Sequence, residues 1–105
     1  MSDISQISAL NNIGAICIIG LKNDSNKYKI EYTKNCQSQV IKTHRAQGQN
    51  IEIHLYKYCS KTDTTKIREI LKEYKTSIIP NVYWYNISLD DLFEKFLEYF
   101  EPDMH

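Results

Sequence analysis

The chain has no CxxC pair, no apolar run long enough to cross a bilayer, no internal repeat, no low-complexity tract and no net charge. Each absence excludes a class. Without paired cysteine spacing there is no zinc-ribbon or redox motif, and Cys17, Cys36 and Cys59 with His44 and His54 do not supply the spacing of a zinc finger. An odd cysteine number and no signal-like leader make an intracellular protein with reduced thiols the expectation. No membrane association is expected, because a spanning helix needs about 20 apolar residues in sequence.

What is present fits one ordinary domain. A length of 105 residues suffices for a single hydrophobic core. A hydrophobic fraction of 42% with 25% charged residues argues against disorder over most of the length. The zero net charge conceals an asymmetry. Up to Pro80 there are 12 Lys and Arg against 7 Asp and Glu, and from Asn81 onward 1 against 6. A chain divided in this way can present a basic face and an acidic helix, so neutrality does not exclude a polyanionic partner.

The apolar run Gly14-Ala15-Ile16-Cys17-Ile18-Ile19-Gly20 is followed, after the turn-forming Asn23-Asp24-Ser25-Asn26, by Lys27-Tyr28-Lys29-Ile30-Glu31-Tyr32-Thr33. A continuous apolar run beside an alternating one is the pattern of a buried strand paired with a half-buried strand. Strands are expected over about Ile13 to Leu21 and Lys27 to Thr33, with Tyr28, Ile30 and Tyr32 on one face. Asn35 is placed to cap a short helix carrying Val40, Ile41 and His44, which Gly48 would end through a left-handed residue. From Ile51 to Tyr58, Ile51, Ile53 and Leu55 alternate with Glu52, His54 and Tyr56, a third strand. After Asp63, a stripe of Ile67, Ile70, Leu71 and Tyr74 reads as a second helix. The aromatic cluster Tyr83-Trp84-Tyr85 leads into the last helix, where Ser88 and Asp91 resemble a capping box and Leu89, Leu92, Phe93, Phe96, Leu97 and Phe100 keep core spacing.

The expected fold is therefore α+β, a small, mainly antiparallel sheet of about three strands flanked by three helices. Residues 1–12 form an N-terminal arm, 13–100 the domain and 101–105 a tail.

The order of these segments resembles the GIY-YIG nuclease superfamily. Val40-Ile41-Lys42-Thr43-His44-Arg45 is similar to the Arg-Leu-Lys-x-His-Arg stretch of that family's first helix. Tyr83-Trp84-Tyr85-Asn86 with Ser88-Leu89-Asp90 resembles the Glu-Trp-Phe and Ser-Leu-Glu ending of a DNA-binding branch found in phages and large DNA viruses, often fused to KilA-N domains. The likeness spans about Gly14 to Tyr99.

In that family tyrosines position or activate water, an Arg stabilises phosphoryl charge and a helix Glu binds a divalent metal, roles that need a phenol, a guanidinium and a hard oxygen ligand. Carried over, the first tyrosine falls on Cys17, the second on Lys29 beside Tyr28, the motif glycine on Glu31, the Arg on Val40 and the Glu on Arg68 or Ile67, next to Glu69. His44 and Asn86 remain as matches. A displaced catalytic set would draw on Tyr28, Tyr32, His44, Glu69 and Asn86, with Mg2+ needed only if cleavage survives; otherwise neither cofactor nor metal is expected.

The expectation is thus a non-catalytic domain that binds nucleic acid, DNA in the first place, through Lys27, Lys29, Lys34, Lys42 and Arg45. Lys57, Lys61, Lys66 and Arg68 extend that surface. A viral origin would place it in the host cytoplasm or nucleus. The alternatives are a module that binds a protein partner or itself, anchored by the aromatic run, and an active metal-dependent endonuclease.

Overall fold

The computed structural model describes residues 13–22, 26–76 and 84–102. The N-terminal arm, most of the first turn, Tyr83 and the end of the tail lie outside the described residues. Strand β1, Ile13–Leu21, and strand β2, Lys27–Thr33, form the expected hairpin. They pair antiparallel from Ala15 opposite Thr33 to Gly20 opposite Tyr28. Asn26 closes the turn with a left-handed φ of 68°, a conformation in which Asn costs less than most residues.

Helix α1, Gln37–Ala46, starts one residue later than the sequence indicates, with Cys36 and not Asn35 at its N-cap. Asn35 is held elsewhere: its amide donates to Thr33 Oγ1 at 3.0 Å, and its carbonyl accepts the Tyr56 hydroxyl at 2.7 Å. Gly48 follows the helix with a φ of 80°, as its position indicates.

Strand β3, Ile51–Ser60, departs from simple alternation. Ile18 lies opposite Leu55, but Ile19 lies opposite Ile53, so His54 is an extra residue in a β-bulge. Ile51, Ile53 and Leu55 therefore do not share a face. Ile51 and Ile53 pack with Cys17, Ile19 and Val40 under α1, whereas Leu55 joins Ile16, Ile18 and Ile30 on the opposite side. His54 turns to that opposite side as well and meets Tyr28 edge-on, with ring centroids 5.5 Å apart.

Helix α2, Lys61–Ile70, begins before Asp63 because Asp63 is part of its cap. Ser60 Oγ accepts from the Asp63 amide at 3.1 Å, and Asp63 Oδ2 accepts from the Ser60 amide at 3.0 Å, a reciprocal capping box. The Tyr99 hydroxyl donates to Asp63 Oδ1 at 2.7 Å. These bonds, the tyrosine's foremost, hold the carboxyl below its usual range. Ile67 and Leu71 are buried as expected, but Ile70, the last residue of the helix, is exposed, and a single 3-10 turn follows over Lys72–Tyr74.

A fourth strand, β4, Trp84–Asn86, pairs with the outer side of β2. Helix α3, Leu89–Phe100, follows, with Ser88 Oγ accepting from the Asp91 amide at 3.2 Å. The sheet order is β3-β1-β2-β4, every neighbour antiparallel. Helices α2 and α3 cover one face over Ile16, Ile18, Ile30, Ile67, Leu71, Tyr85, Leu92 and Phe96, while α1 covers part of the other. This is the expected α+β architecture, its sheet extended by β4 and bounded by three helices. Each fully buried Ile or Leu in it contributes about 1.5 to 3 kcal/mol.

Candidate nucleic-acid interface

The period of two along β2 sends Tyr28 and Ile30 into the large core and Lys27, Lys29 and Glu31 to the α1 side. Register places Asn86 opposite Lys27 and Trp84 opposite Lys29. Helix α1 seats itself through buried Val40 and His44, against β3 in particular, and so leaves the β2 and β4 half of this face partly open. Lys27 and Asn86 are exposed there, and Lys29, Glu31 and Trp84 are half-buried. On α1 itself Lys42 and Arg45 are exposed, and the helix carries no acidic residue.

Helix α3 on the opposite side has Asp90, Asp91, Glu94 and Glu98 against Lys95. The α3 side is not uniformly acidic, however: Lys57 of β3 and Lys61, Lys66 and Arg68 of α2 lie on that same face of the sheet and therefore do not extend the α1 surface. Four cationic side chains, Lys27, Lys29, Lys42 and Arg45, thus lie on the α1 side of the sheet, and a Lys or Arg near a polyanion displaces condensed counterions. A half-exposed Trp beside a Lys is, in addition, a surface on which an unpaired base can stack.

Among the described residues one acidic group sits within this surface. Glu31 Oε1 lies 3.4 Å from Lys29 Nζ and 3.8 Å from His44 Nε2. His44 is only 4% exposed and donates its Nδ1 proton to the Val40 carbonyl at 2.9 Å, which fixes the ring so that Nε2 faces the carboxylate. Lys29 is therefore partly neutralised before any ligand arrives. Beneath Glu31 its cross-strand neighbour Cys17 is fully buried, and burial first, then the Glu31 charge, push its thiol up to about 12.

Cys36 is the opposite case. It is exposed at the start of α1, where the Ser38 hydroxyl 3.2 Å from its sulfur, and after it the amide of Gln39, lower its pKa. Iodoacetamide at pH 8 should modify Cys36 more than about 100-fold faster than Cys17, because only thiolate reacts and only Cys36 is accessible. Peptide mass mapping over time reads this directly, and equal labelling of Cys17 in the native protein would contradict the burial described.

The five residues of a displaced catalytic set are not gathered on one surface. Tyr28 is buried against His54, and Tyr32 lies on the same side of the sheet beside Gly14. His44 and Asn86 belong to the α1 side, and Glu69 stands exposed on α2, paired with Lys72 at 3.0 Å. Lys34 is exposed just past the end of β2. Arg68 reaches across to β2, its Nη2 donating to the Ile30 carbonyl at 3.1 Å. Among the described residues no three of His, Cys, Asp and Glu are grouped where they could hold a metal ion, and no helix is long and apolar enough to cross a membrane.

Two features of the site escape sequence reasoning. The meeting of Glu31 with Lys29 and His44 brings together residues on a strand and a helix whose relative position no local pattern gives. The placement of Trp84 beside Lys29 depends on β4, for which the only signal is a short cluster of strand-favouring aromatics. Comparison of the chain with protein-family models, with curated proteins and with solved structures finds no match to any of them.

Proposed function

We propose that the protein binds nucleic acid, DNA foremost, without cleaving it, using the α1 and β2 face of a GIY-YIG-like scaffold inside the cell. The observation that carries this reading is the gathering of Lys27, Lys29, Lys42 and Arg45 on one side of the sheet, next to half-exposed Trp84, with the acidic α3 on the other side. The non-catalytic part rests on the residues at the resembling family's reactive positions. Cys17 and Val40 are buried and apolar in character, Glu31 is a carboxylate where a phosphate would approach, and Arg68 is cationic where a metal ligand would stand. Loss of a charge-stabilising Arg alone costs orders of magnitude in phosphoryl-transfer rate.

Fluorescence anisotropy with short duplex DNA, single-stranded DNA and RNA between 50 and 200 mM salt tests the reading. Affinity should fall steeply with salt, and the combined variant Lys27→Ala, Lys42→Ala, Arg45→Ala should reduce the logarithmic salt slope by about 2 to 3. Glu31→Gln should tighten binding, since it frees Lys29 and removes a repelling charge from that surface. Binding that ignores salt, or no binding to any of the three, would overturn the proposal. Plasmid incubated with Mg2+ or Mn2+ should stay intact; cleavage abolished by His44→Ala with Glu69→Ala would establish the nuclease reading in its place.

A further inference from the structure

We infer that two copies of the chain associate through the outer edge of β3, joining their sheets into one antiparallel sheet about a two-fold axis between His54 and Leu55. Strand β3 is the longer of the two edge strands, ten residues long, and nothing among the described residues pairs with its free edge. A long unpaired edge without proline is a template for another strand.

The occupant follows from the side chains that self-pairing would bring together. In an antiparallel pair, residues directly opposite must point to the same face of the sheet. With the axis between His54 and Leu55, Glu52 comes opposite Lys57 of the second copy, Ile53 opposite Tyr56 and Ile51 opposite Tyr58. Glu52 and Lys57 lie on the α3 side, opposite Gly20 and Ile16 respectively, and Ile51, Ile53, Tyr56 and Tyr58 all lie on the α1 side. Every pair therefore matches in face. It does so because of the bulge: beyond His54 the alternation is inverted, so a register that pairs odd with even positions is the one that agrees. The same register places an acid opposite a base twice, once on each side of the axis.

The surroundings are suited to being covered. Tyr58 is 74% exposed on the α1 side. On the other side a groove of about 260 Å³ runs along the edge between Leu55, Lys57, Phe93, Leu97 and Phe100, with Leu97 45% exposed. The axis is perpendicular to the sheet, so both α1 helices fall on one side and both acidic α3 helices on the other. The association would then double the basic surface, although it stands on the edge geometry and does not depend on nucleic acid.

Sedimentation velocity of the full chain from 1 to 200 µM should show a species of twice the 12.4 kDa chain mass growing with concentration. Glu52→Lys and Lys57→Glu, each alone, should weaken it by at least about tenfold, and the two together should restore it to within a few-fold of the original. Tyr58→Lys, at an exposed position, should weaken it with circular dichroism and unfolding midpoint unchanged. A strict monomer at 200 µM would overturn the inference. So would a dimer indifferent to both single charge reversals, or one that the paired reversal fails to rescue.

Discussion

Gly14→Ala is expected to lower stability by about 3 kcal/mol, a large fraction of what a domain of this size has to lose. A Cβ at this position would stand 2.5 Å from the Thr33 carbonyl oxygen and 2.7 Å from both Cζ and Oη of Tyr32. The tyrosine ring has some freedom to swing away, but the carbonyl belongs to the backbone of β2. It cannot retreat without loosening the ladder in which Thr33 pairs with Ala15. The absence of a side chain at Gly14 thus serves the close approach of β2 and the seating of Tyr32 across β1. Gly48→Ala is the contrasting case: a Cβ there meets nothing within 4 Å, so only its φ of 80° is strained, at a cost of about 1 kcal/mol. Urea unfolding followed by circular dichroism compares the two. A Gly14→Ala protein within 1 kcal/mol of the parent would show that β2 does not lie this close to β1.

Tyr85→Ala is expected to cost about 3 to 5 kcal/mol, the usual range for removing a large buried aromatic. Tyr85 is 1% exposed, the largest side chain among the described residues buried to that degree, and packs in the main core while its neighbours Trp84 and Asn86 point to the other side. With the ladder to β2 and buried Ile87, it anchors a strand of three residues on the sheet edge. Its removal should have a second effect, on ligand binding, because Trp84 and Asn86 lose their places beside Lys29 and Lys27. Tyr85→Phe keeps the ring and should cost no more than about 1.5 kcal/mol, the range for one hydroxyl's hydrogen bond. Denaturation curves give the stabilities, and amide hydrogen exchange along β2 reports whether β4 has detached. If Tyr85→Ala unfolded at the same urea concentration as the parent, β4 would not be part of the cooperative core.

Much of this architecture can be read along the chain. The bounds of β1 and β2 follow from a switch between continuous and alternating apolar residues, and the last helix follows from Ser88 and the spacing of Leu92 and Phe96. The basic surface is partly legible too: period two along β2 puts Lys27 and Lys29 together, and helical period puts Lys42 and Arg45 on the outside of α1. Elsewhere local pattern misleads because a distant residue decides. Asn35 looks like a cap, but the Tyr56 hydroxyl takes its carbonyl. Leu97 keeps core spacing and still lies 45% exposed in the lining of a groove shared with Leu55 and Lys57 of β3. Ile51 to Leu55 alternates cleanly in sequence, and only pairing with β1 reveals the extra residue. The catalytic candidates Tyr28 and His44 are compatible with one site until the faces are assigned, and then they lie on opposite sides of the sheet.

The bulge at His54 also governs how the basic helix is aimed. Were β3 to alternate regularly from Ile53, Tyr56 would point into the large core and Leu55 toward α1. The single additional residue brings Tyr56 to the α1 side, where its hydroxyl grips the Asn35 carbonyl directly ahead of the helix. The direction in which Lys42 and Arg45 face is thus set in part by the residue count of a strand that carries neither of them. A change of one residue in β3 would re-aim the helix without altering any side chain on it.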